Sequence, residues 1–230
     1  MTHIQQHGDG GGIGSLVPPR RREQRRQNRE TAILQAAQAL MEAQGYDAMT
    51  MDDLAARAGI SKPTLYQHFP SKEEIAVRAV VQVIRGGREF IESLDSALPA
   101  IVRLEKILRR MLEAKFTPGH LPIGPATRTA LAPMLRAHPL YQAEFEAMAA
   151  AVSEVVEQAK RAGDFRPALP TRPAVQMMFS VLRDSDFEEM VRAGAITPSA
   201  LAESVVTILL TGMCHKTQSK KMVDDRKNDV

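Results

Sequence analysis

The sequence is poor in cysteine and aromatic residues and has no long apolar segment. Its single cysteine, Cys214, excludes an internal disulfide framework and a multi-cysteine zinc site, and it favours a reducing compartment. None of the apolar runs approaches the roughly 18 residues that a membrane-spanning helix needs. The amino terminus has no apolar segment behind a basic start, so it does not resemble a secretory signal. We therefore expect a cytoplasmic protein with no membrane partner.

The signatures of common enzyme classes are missing too. The sequence has no Gly-x-Ser-x-Gly, no phosphate-binding loop and no His-Glu-x-x-His. Its six histidines are scattered without the spacing of metal ligands. An acidic cluster, Asp184, Asp186, Glu188 and Glu189, spans several faces of a predicted helix and is interpreted as solvated surface. We expect a protein that is not an enzyme and that uses neither a metal nor a cofactor.

The positive charge is unevenly distributed along the 230 residues. Residues 20–72 hold nine Lys or Arg against six Asp or Glu, whereas residues 73–212 hold sixteen against seventeen. Much of the excess is one arginine block: Arg20, Arg21, Arg22, Arg25, Arg26 and Arg29. Such a block beside a folded domain indicates either a polyanionic partner or a solubilising arm.

The spacing of apolar residues predicts an all-α fold of about nine helices, four in the amino-terminal part and about five beyond it. No segment alternates with the period of two that strands require. Gly45, Gly59 and Pro70 are expected to end the first three helices, and the pair Gly86-Gly87 is expected to bend the fourth. The 44% hydrophobic content is sufficient for a packed core.

The segment from Thr50 to Lys72 carries most of the functional information. Two short predicted helices are separated by a tight turn at Gly59, which is the pattern of a helix-turn-helix. The apolar positions Leu54, Ala55, Ile60 and Leu65 are spaced to pack the two helices together. The remaining side chains of the second helix are expected to face outward and suit DNA: Lys62, Thr64, Tyr66, Gln67 and His68.

This segment resembles the DNA-binding domain of the TetR (tetracycline-repressor-like) family of bacterial transcriptional regulators. The resemblance rests on Ala-Ala-Arg-Ala-Gly-Ile-Ser, Thr-Leu-Tyr, His-Phe and Ser-Lys-Glu-Glu, all between residues 55 and 74. It implies that Thr50, Tyr66, His68 and Lys72 hold the phosphate backbone of DNA. It also implies that the start and middle of the second helix approach DNA at Ser61, Lys62, Pro63, Thr64 and Gln67.

The resemblance suggests a division of the chain into four parts. Residues 1–19 are expected to be a disordered leader, 20–72 the DNA-binding domain, 73–213 a ligand-binding and dimerisation domain, and 214–230 a flexible charged tail. In this setting Arg25 and Arg26 are expected to contact DNA as part of a basic arm, adding affinity but little base specificity.

For the carboxy-terminal half, the resemblance implies a homodimer that responds to a small molecule. The wide apolar stripe of the last helix predicts a four-helix dimer interface, with burial in the same subunit as the alternative. The predicted interface residues are Val175, Met178, Leu182, Leu201, Val205, Ile208, Leu209 and Gly212. The predicted ligand contacts are Met111, Phe116, Met134, Phe145, Met148 and Met178, with plain core packing as the alternative.

The expected mechanism is repression that ends when a ligand favours a conformation unable to bind a palindromic double-stranded DNA operator. Two alternatives remain open at this point. One is a non-transcriptional or structural DNA-binding protein on the same fold. The other is a redox sensor that acts through Cys214, whose pKa the neighbouring His215 and Lys216 are expected to lower.

Overall fold

The structure is a computed structural model that describes residues 19–116, 125–182 and 186–214, with side chains described from residue 21 and, in the second range, from residue 130. The described residues form ten helices: α1 (Pro19–Ala48), α2 (Met51–Ala58), α3 (Lys62–His68), α4 (Lys72–Ser93), α5 (Ala100–Ala114), α6 (Pro125–Ala137), α7 (Pro139–Arg161), α8 (Thr171–Leu182), α9 (Asp186–Arg192) and α10 (Pro198–Met213). An isolated antiparallel bridge between Phe165 and Cys214 is the β-structure found in these ranges. The predicted all-α class is confirmed, with ten helices in the described residues where the sequence predicted about nine.

The predicted helix ends can be compared directly with the backbone. The chain leaves helical geometry at Gly45, where φ is 81° and ψ is 165°. Gly59 caps α2 with φ 66°, in the left-handed region that glycine adopts without a steric penalty. The expected bend at Gly86-Gly87 does not interrupt the helix, because α4 runs through both residues and neither has a positive φ. A Cβ at Gly87 would lie 3.6 Å from the Met148 sulfur of α7, which is an ordinary van der Waals contact, so the packing leaves room for a small side chain there.

Two hydrophobic cores organise the described residues. The amino-terminal core joins α1, α2 and α3 to the first half of α4, from Ile75 to Val81, and to Leu131 and Leu135 of α6. The carboxy-terminal core joins α5, α7, α8 and α10, together with Ile91 near the end of α4. Since α4 contributes to both cores, the packing does not break at residue 72, where the sequence predicted a domain boundary.

Polar contacts fix α4 against its neighbours. Arg88 donates to the Glu144 carboxylate of α7 at 2.7 Å, and Arg85 donates to the same carboxylate at 3.2 Å. The His138 Nε2 atom lies 3.2 Å from the Glu74 carboxylate. The helices that follow the helix-turn-helix are therefore tied to α4 at both of its ends.

Two predictions about polar residues of the carboxy-terminal half are wrong. Glu188 is not solvated: it is buried and pairs at 3.2 Å with Lys115, whose side chain is 8% exposed. Cys214 is fully buried, and burial raises the pKa of its thiol to about 11, with Asp164 adding to the rise. A thiol with that pKa stays protonated and unreactive near neutral pH. The redox-sensor alternative therefore has no support from Cys214, and His215 and Lys216 lie outside the described residues.

The predicted leader 1–19 and tail 214–230 lie outside the described residues apart from Pro19 and Cys214. In the part of the chain that is described, no helix combines the length and hydropathy needed to cross a membrane. Nor do the described side chains include a group of three or more His, Cys, Asp or Glu that could hold a metal ion.

Candidate nucleic-acid interface

Local sequence explains why α2 and α3 form a helix-turn-helix. The Thr50 hydroxyl accepts from the Asp53 N–H at 3.1 Å, and the Asp53 carboxylate accepts from the Thr50 N–H at 3.1 Å, which is a complete capping box. Gly59 then ends α2, and Ile60 N–H bonds back to the Ala55 carbonyl at 3.0 Å. The Ser61 hydroxyl caps α3 by accepting from the Thr64 N–H at 3.3 Å.

The inner face of α3 is held firmly against the amino-terminal core. Leu65 is fully buried and Phe69, which caps the helix, is 2% exposed. The His68 ring contacts α1, with Nδ1 3.3 Å from the Glu30 carboxylate and the side chain only 10% exposed. α3 is therefore anchored at its middle and its carboxy-terminal end, which fixes the direction of its outer face.

The outer face of α3 is polar and accessible. We call it the recognition face and define it as Ser61, Lys62, Pro63, Tyr66 and Gln67, all of which are exposed. Tyr66 is 48% exposed, although it is a large apolar side chain. The Lys62 ammonium lies 2.9 Å from the Asp52 carboxylate of α2, and this hydrogen bond raises the pKa of Lys62. Because exposed pairs are weak, Lys62 can exchange Asp52 for a phosphate at little cost.

Four other predicted DNA contacts are engaged within the chain. The Thr50 hydroxyl donates to the Asp53 carboxylate at 2.7 Å, so its single proton is already used. The Thr64 hydroxyl lies 2.8 Å from the Ser61 hydroxyl, and His68 is mostly buried against α1. The Lys72 ammonium donates to the carbonyls of Tyr46 and Asp47 at 3.3 and 3.5 Å. These residues position the helices, as does the Ser61 hydroxyl that caps α3, whereas Tyr66 and Gln67 of the recognition face are exposed.

The arginine block lies next to α3. The residues Arg21, Arg22, Arg25, Arg26 and Arg29 are exposed on the first turns of α1, and we call them the basic face. Arg26 donates to Glu30 at 2.9 Å, and the same carboxylate faces His68 at the end of α3. Burial alone raises the pKa of Glu30, but hydrogen bonds from Arg26 and His68 outweigh it and lower the pKa overall. The predicted arm is thus helical, and the Glu30 carboxylate of the same helix links Arg26 to the end of α3.

The described residues also line a half-open cavity of about 450 Å³ between α1, α4 and α5, to which α7 and α8 contribute one residue each. Of the six predicted ligand contacts, Met111 and Met148 line it. Met178 is buried in the carboxy-terminal core, while Phe116 and Phe145 pack against that core and Met134 packs against the other. The sequence analysis missed the polar wall, formed by Gln35, Gln38, Gln82 and Arg110. The available signal was a glutamine pair three residues apart, beside the apolar stripe of α1.

The predicted dimer residues divide into two groups. Val175, Met178, Leu201, Val205 and Leu209 are buried within the chain's own core. Ile208 is 71% exposed, Gly212 is exposed and Leu182 is half-buried. The buried residues of α8 and α10 therefore cannot contact a partner. The accessible apolar surface of these two helices lies on their outer sides. This division follows from the width of the stripe, because one helix can bury one side in its own subunit and expose the other.

Comparison with known proteins identifies a family whose model matches the helix-turn-helix and the helices beside it. The family model described as "Bacterial regulatory proteins, tetR family" matches residues 33–79, which span the buried part of α1, all of α2 and α3 and the first turns of α4. The chain is 28% identical over 186 residues to the HTH-type transcriptional regulator EthR of Mycolicibacterium smegmatis, covering 79% of this chain and 82% of that protein.

Two further known proteins are similar to the chain, one over part of its length and one over most of it. The HTH-type transcriptional activator FasR of the same organism is 40% identical over 91 residues, which is 40% of each chain. The fatty acid degradation regulator FadR from Bacillus halodurans has a similar fold, with a TM-score of 0.67 at 20% identity over 80% of this chain and 95% of that one. The chain is a DNA-binding transcriptional regulator, and its residues 33–79 match the model of the tetR family of bacterial regulatory proteins.

Proposed function

We propose that the protein binds a pseudo-palindromic operator as a homodimer in the cytoplasm, and represses transcription until a small molecule enters the cavity between α1, α4 and α5. The observation that carries the DNA part is the arrangement around α3. Its inner side is fixed by Leu65 and His68, and its outer side presents Lys62, Tyr66 and Gln67. The basic face lies on α1, whose Glu30 contacts the end of α3.

Each part of this surface suits one component of DNA. The Gln67 amide and the Lys62 ammonium donate to base edges or phosphates, and the Tyr66 ring offers apolar surface for a thymine methyl group. The basic face supplies positive charge that neutralises phosphates irrespective of sequence. α3 therefore reads the sequence, and α1 adds salt-dependent affinity.

The outer sides of α8 and α10 support the homodimer. Ile208 on α10 is 71% exposed and Met177 on α8 is 57% exposed, although both are large apolar residues. Exposed apolar residues on two helices can pack against the same residues of an identical subunit. A two-fold dimer would present two copies of α3, which requires an operator with two related half-sites.

The route from the cavity to the DNA surface runs through α4. This helix lines the cavity with residues 82–90 and contributes Ile75 to Val81 to the core on which α3 rests. A ligand that binds one position of α4 more tightly than another shifts the population of the two positions. Coupling of this kind typically changes affinity by about 5-fold to 150-fold.

A genome-wide binding footprint tests the regulatory function. We expect a few inverted-repeat sites close to the protein's own gene, and their occupancy should fall strongly for Tyr66→Ala. A reporter gene downstream of such a site should be expressed more strongly when the protein is removed. Dispersed binding without a repeated half-site would instead favour a structural DNA-binding protein, and reduced reporter expression would mean activation.

Light scattering tests the dimer. We expect the wild type to be a dimer at micromolar concentration and Ile208→Asp to be a monomer, since the charge would lie in the interface. Leu140→Asp is the matched control, because Leu140 is also an exposed apolar residue, 42% exposed, but lies at the start of α7. Dimers for both variants would rule out the α8–α10 surface.

A further inference from the structure

The described wall of the cavity carries a positive charge. Arg110 is the one charged side chain among the described residues that line the cavity, and none of them is Asp or Glu. The other polar residues of this wall, Gln35, Gln38 and Gln82, are neutral amides. An arginine stays protonated throughout the physiological pH range. Such a wall favours an anion over a neutral molecule and disfavours a cation.

Arg110 lies where a molecule from solvent can meet it. The residue is exposed and lines a cavity that is half-open. Its guanidinium lies over the ring of Phe90, another lining residue, 6.0 Å from the ring centroid. A guanidinium has five N–H donors in a planar fork, so it can hold a carboxylate through two parallel bonds in addition to its contacts within the protein. An anionic group of a ligand therefore has a partner on α5.

Much of the remaining wall is apolar. It is contributed by α4, α5, α7 and α8, through Val83, Ile84, Phe90, Met111, Met148 and Leu182. These residues are buried or half-buried, so the apolar part of the wall is less accessible to solvent than Arg110. The volume of about 450 Å³ lies within the range of pockets that hold small organic molecules, about 300–1000 Å³, and the flexible methionine side chains can adapt to a ligand's shape. This part of the wall suits a molecule with an apolar body.

We propose that the cavity binds an amphipathic organic acid, whose carboxylate pairs with Arg110 and whose apolar body packs against the apolar part of the wall. The proposal rests on the proposed ligand response and specifies the chemical class of the ligand. A pure hydrocarbon makes no use of the charge, and a polyanion would have to bring charge against apolar side chains. The bound acid joins α5 to α4, the helix whose first half supports α3.

Calorimetric titration with three probes of similar chain length tests the chemical class without DNA. The probes are octanoate, octanamide and octylammonium, which near neutral pH carry a negative, a neutral and a positive head group. We expect wild-type protein to bind them in that order of decreasing affinity. In Arg110→Gln the ratio of octanoate affinity to octanamide affinity should fall about fivefold, the upper range for an ion pair that solvent reaches.

Two further variants test whether the preference belongs to Arg110 itself. Arg110→Lys keeps the charge but loses the planar fork, so it should keep part of the preference for octanoate. Arg109→Gln is the matched control, because it removes the same charge one residue away, from a side chain that donates to Glu105 at 3.2 Å and does not line the cavity. This control should bind the probes as wild type does.

Four results would each overturn the proposed chemistry. They are no binding of octanoate by wild type, octanoate binding no tighter than octanamide, an unchanged preference in Arg110→Gln, and an equal loss of preference in Arg109→Gln and Arg110→Gln.

The methyl NMR signals of methionine locate the bound octanoate. Met111 and Met148 line the cavity, whereas Met49 is buried in the amino-terminal core and Met190 is exposed on α9. We expect saturating octanoate to shift the signals of Met111 and Met148 and to leave those of Met49 and Met190 in place. Unchanged signals of Met111 and Met148 with octanoate bound would overturn the assignment to this cavity.

The chemistry of the cavity and the proposed regulation can fail separately, because none of these measurements uses DNA. Octanoate that binds as described but leaves operator affinity unchanged would count against the proposed regulation alone. Release of the operator by octanamide or octylammonium, with octanoate unbound, would support the regulation and overturn the proposed chemical class.

Discussion

The turn of the helix-turn-helix can be tested by comparing the same substitution at two glycines. Gly59 and Gly86 are both exposed, and a Cβ built at either one meets no atom within 4 Å. They differ in backbone conformation: Gly59 has φ 66°, whereas Gly86 lies within α4 without a positive φ. Replacing each with alanine therefore isolates the cost of the left-handed backbone from any steric clash.

The two substitutions should have opposite signs. At Gly59 the left-handed conformation costs an L-residue about 1–2 kcal/mol. Restriction of the unfolded chain returns about 0.4–1 kcal/mol of this, so Gly59→Ala should lower the free energy of unfolding by about 1 kcal/mol. At Gly86 the conformation is compatible, and Gly86→Ala should raise the free energy of unfolding by about 0.5–1 kcal/mol.

Thermal unfolding followed by circular dichroism provides the measurement. A difference of about 2 kcal/mol between the variants corresponds to melting temperatures about 4–8 °C apart for a chain of this size. Gly59→Asn is the control, because asparagine visits the left-handed region more readily and should lose less stability than alanine. Equal shifts for the two alanine variants, or a Gly59→Ala more stable than wild type, would refute the reasoning.

Three further predictions concern charged groups. Glu188→Gln removes the carboxylate that faces the buried Lys115 ammonium and should lower the free energy of unfolding by about 3–5 kcal/mol in urea, whereas the apolar pair Lys115→Met/Glu188→Leu should recover most of it. Because the folded-state pKa of Glu30 is lowered from 4.5, its contribution to stability is complete above that pH and is lost as the pH falls through the lowered value. Glu30→Gln should therefore lose less stability than wild type during acid titration, and the exposed Glu146→Gln should behave as wild type; a parallel decline in all three would contradict the assignment. Arg25→Gln should reduce the slope of log affinity for DNA against log salt by about 0.9. Arg26→Gln should reduce it by less, because Arg26 already pairs with Glu30. An unchanged slope after residues 1–22 are removed and both arginines are replaced would show that the basic face does not contact DNA.

The helix-turn-helix could be predicted in detail because its signals are local. Thr50, Gly59 and Ser61 act within four residues of the groups they cap, and Gly59 ends α2 where the sequence predicted it. The all-α class follows from periodicity in the same way. The outward orientation of Tyr66 and Gln67 was also predictable, because Leu65 fixes which side of α3 is buried.

Predictions that depended on distant neighbours were less successful. His68 is spaced like an outward residue, yet Glu30, 38 positions earlier, holds it against α1. Glu188 belongs to an acidic cluster that resembles solvated surface, but α5 supplies Lys115 to pair with it. No spacing rule within one helix reports a partner on another helix, so such residues are misassigned when each helix is considered alone.

The sequence by itself determined the helices, their caps, the resemblance to the tetR family and the side of α3 that faces outward, because those properties depend on residues a few positions apart. Only the tertiary structure decided that α4 and α6 share the amino-terminal core, that Cys214 is buried, and that α1 closes one side of the cavity with Gln35 and Gln38. These depend on how helices far apart in the chain pack. The Gln82 Oε1 atom is an example, because it is buried and accepts no hydrogen bond from a described residue. Such a lack can be recognised only when the surroundings of the atom are known.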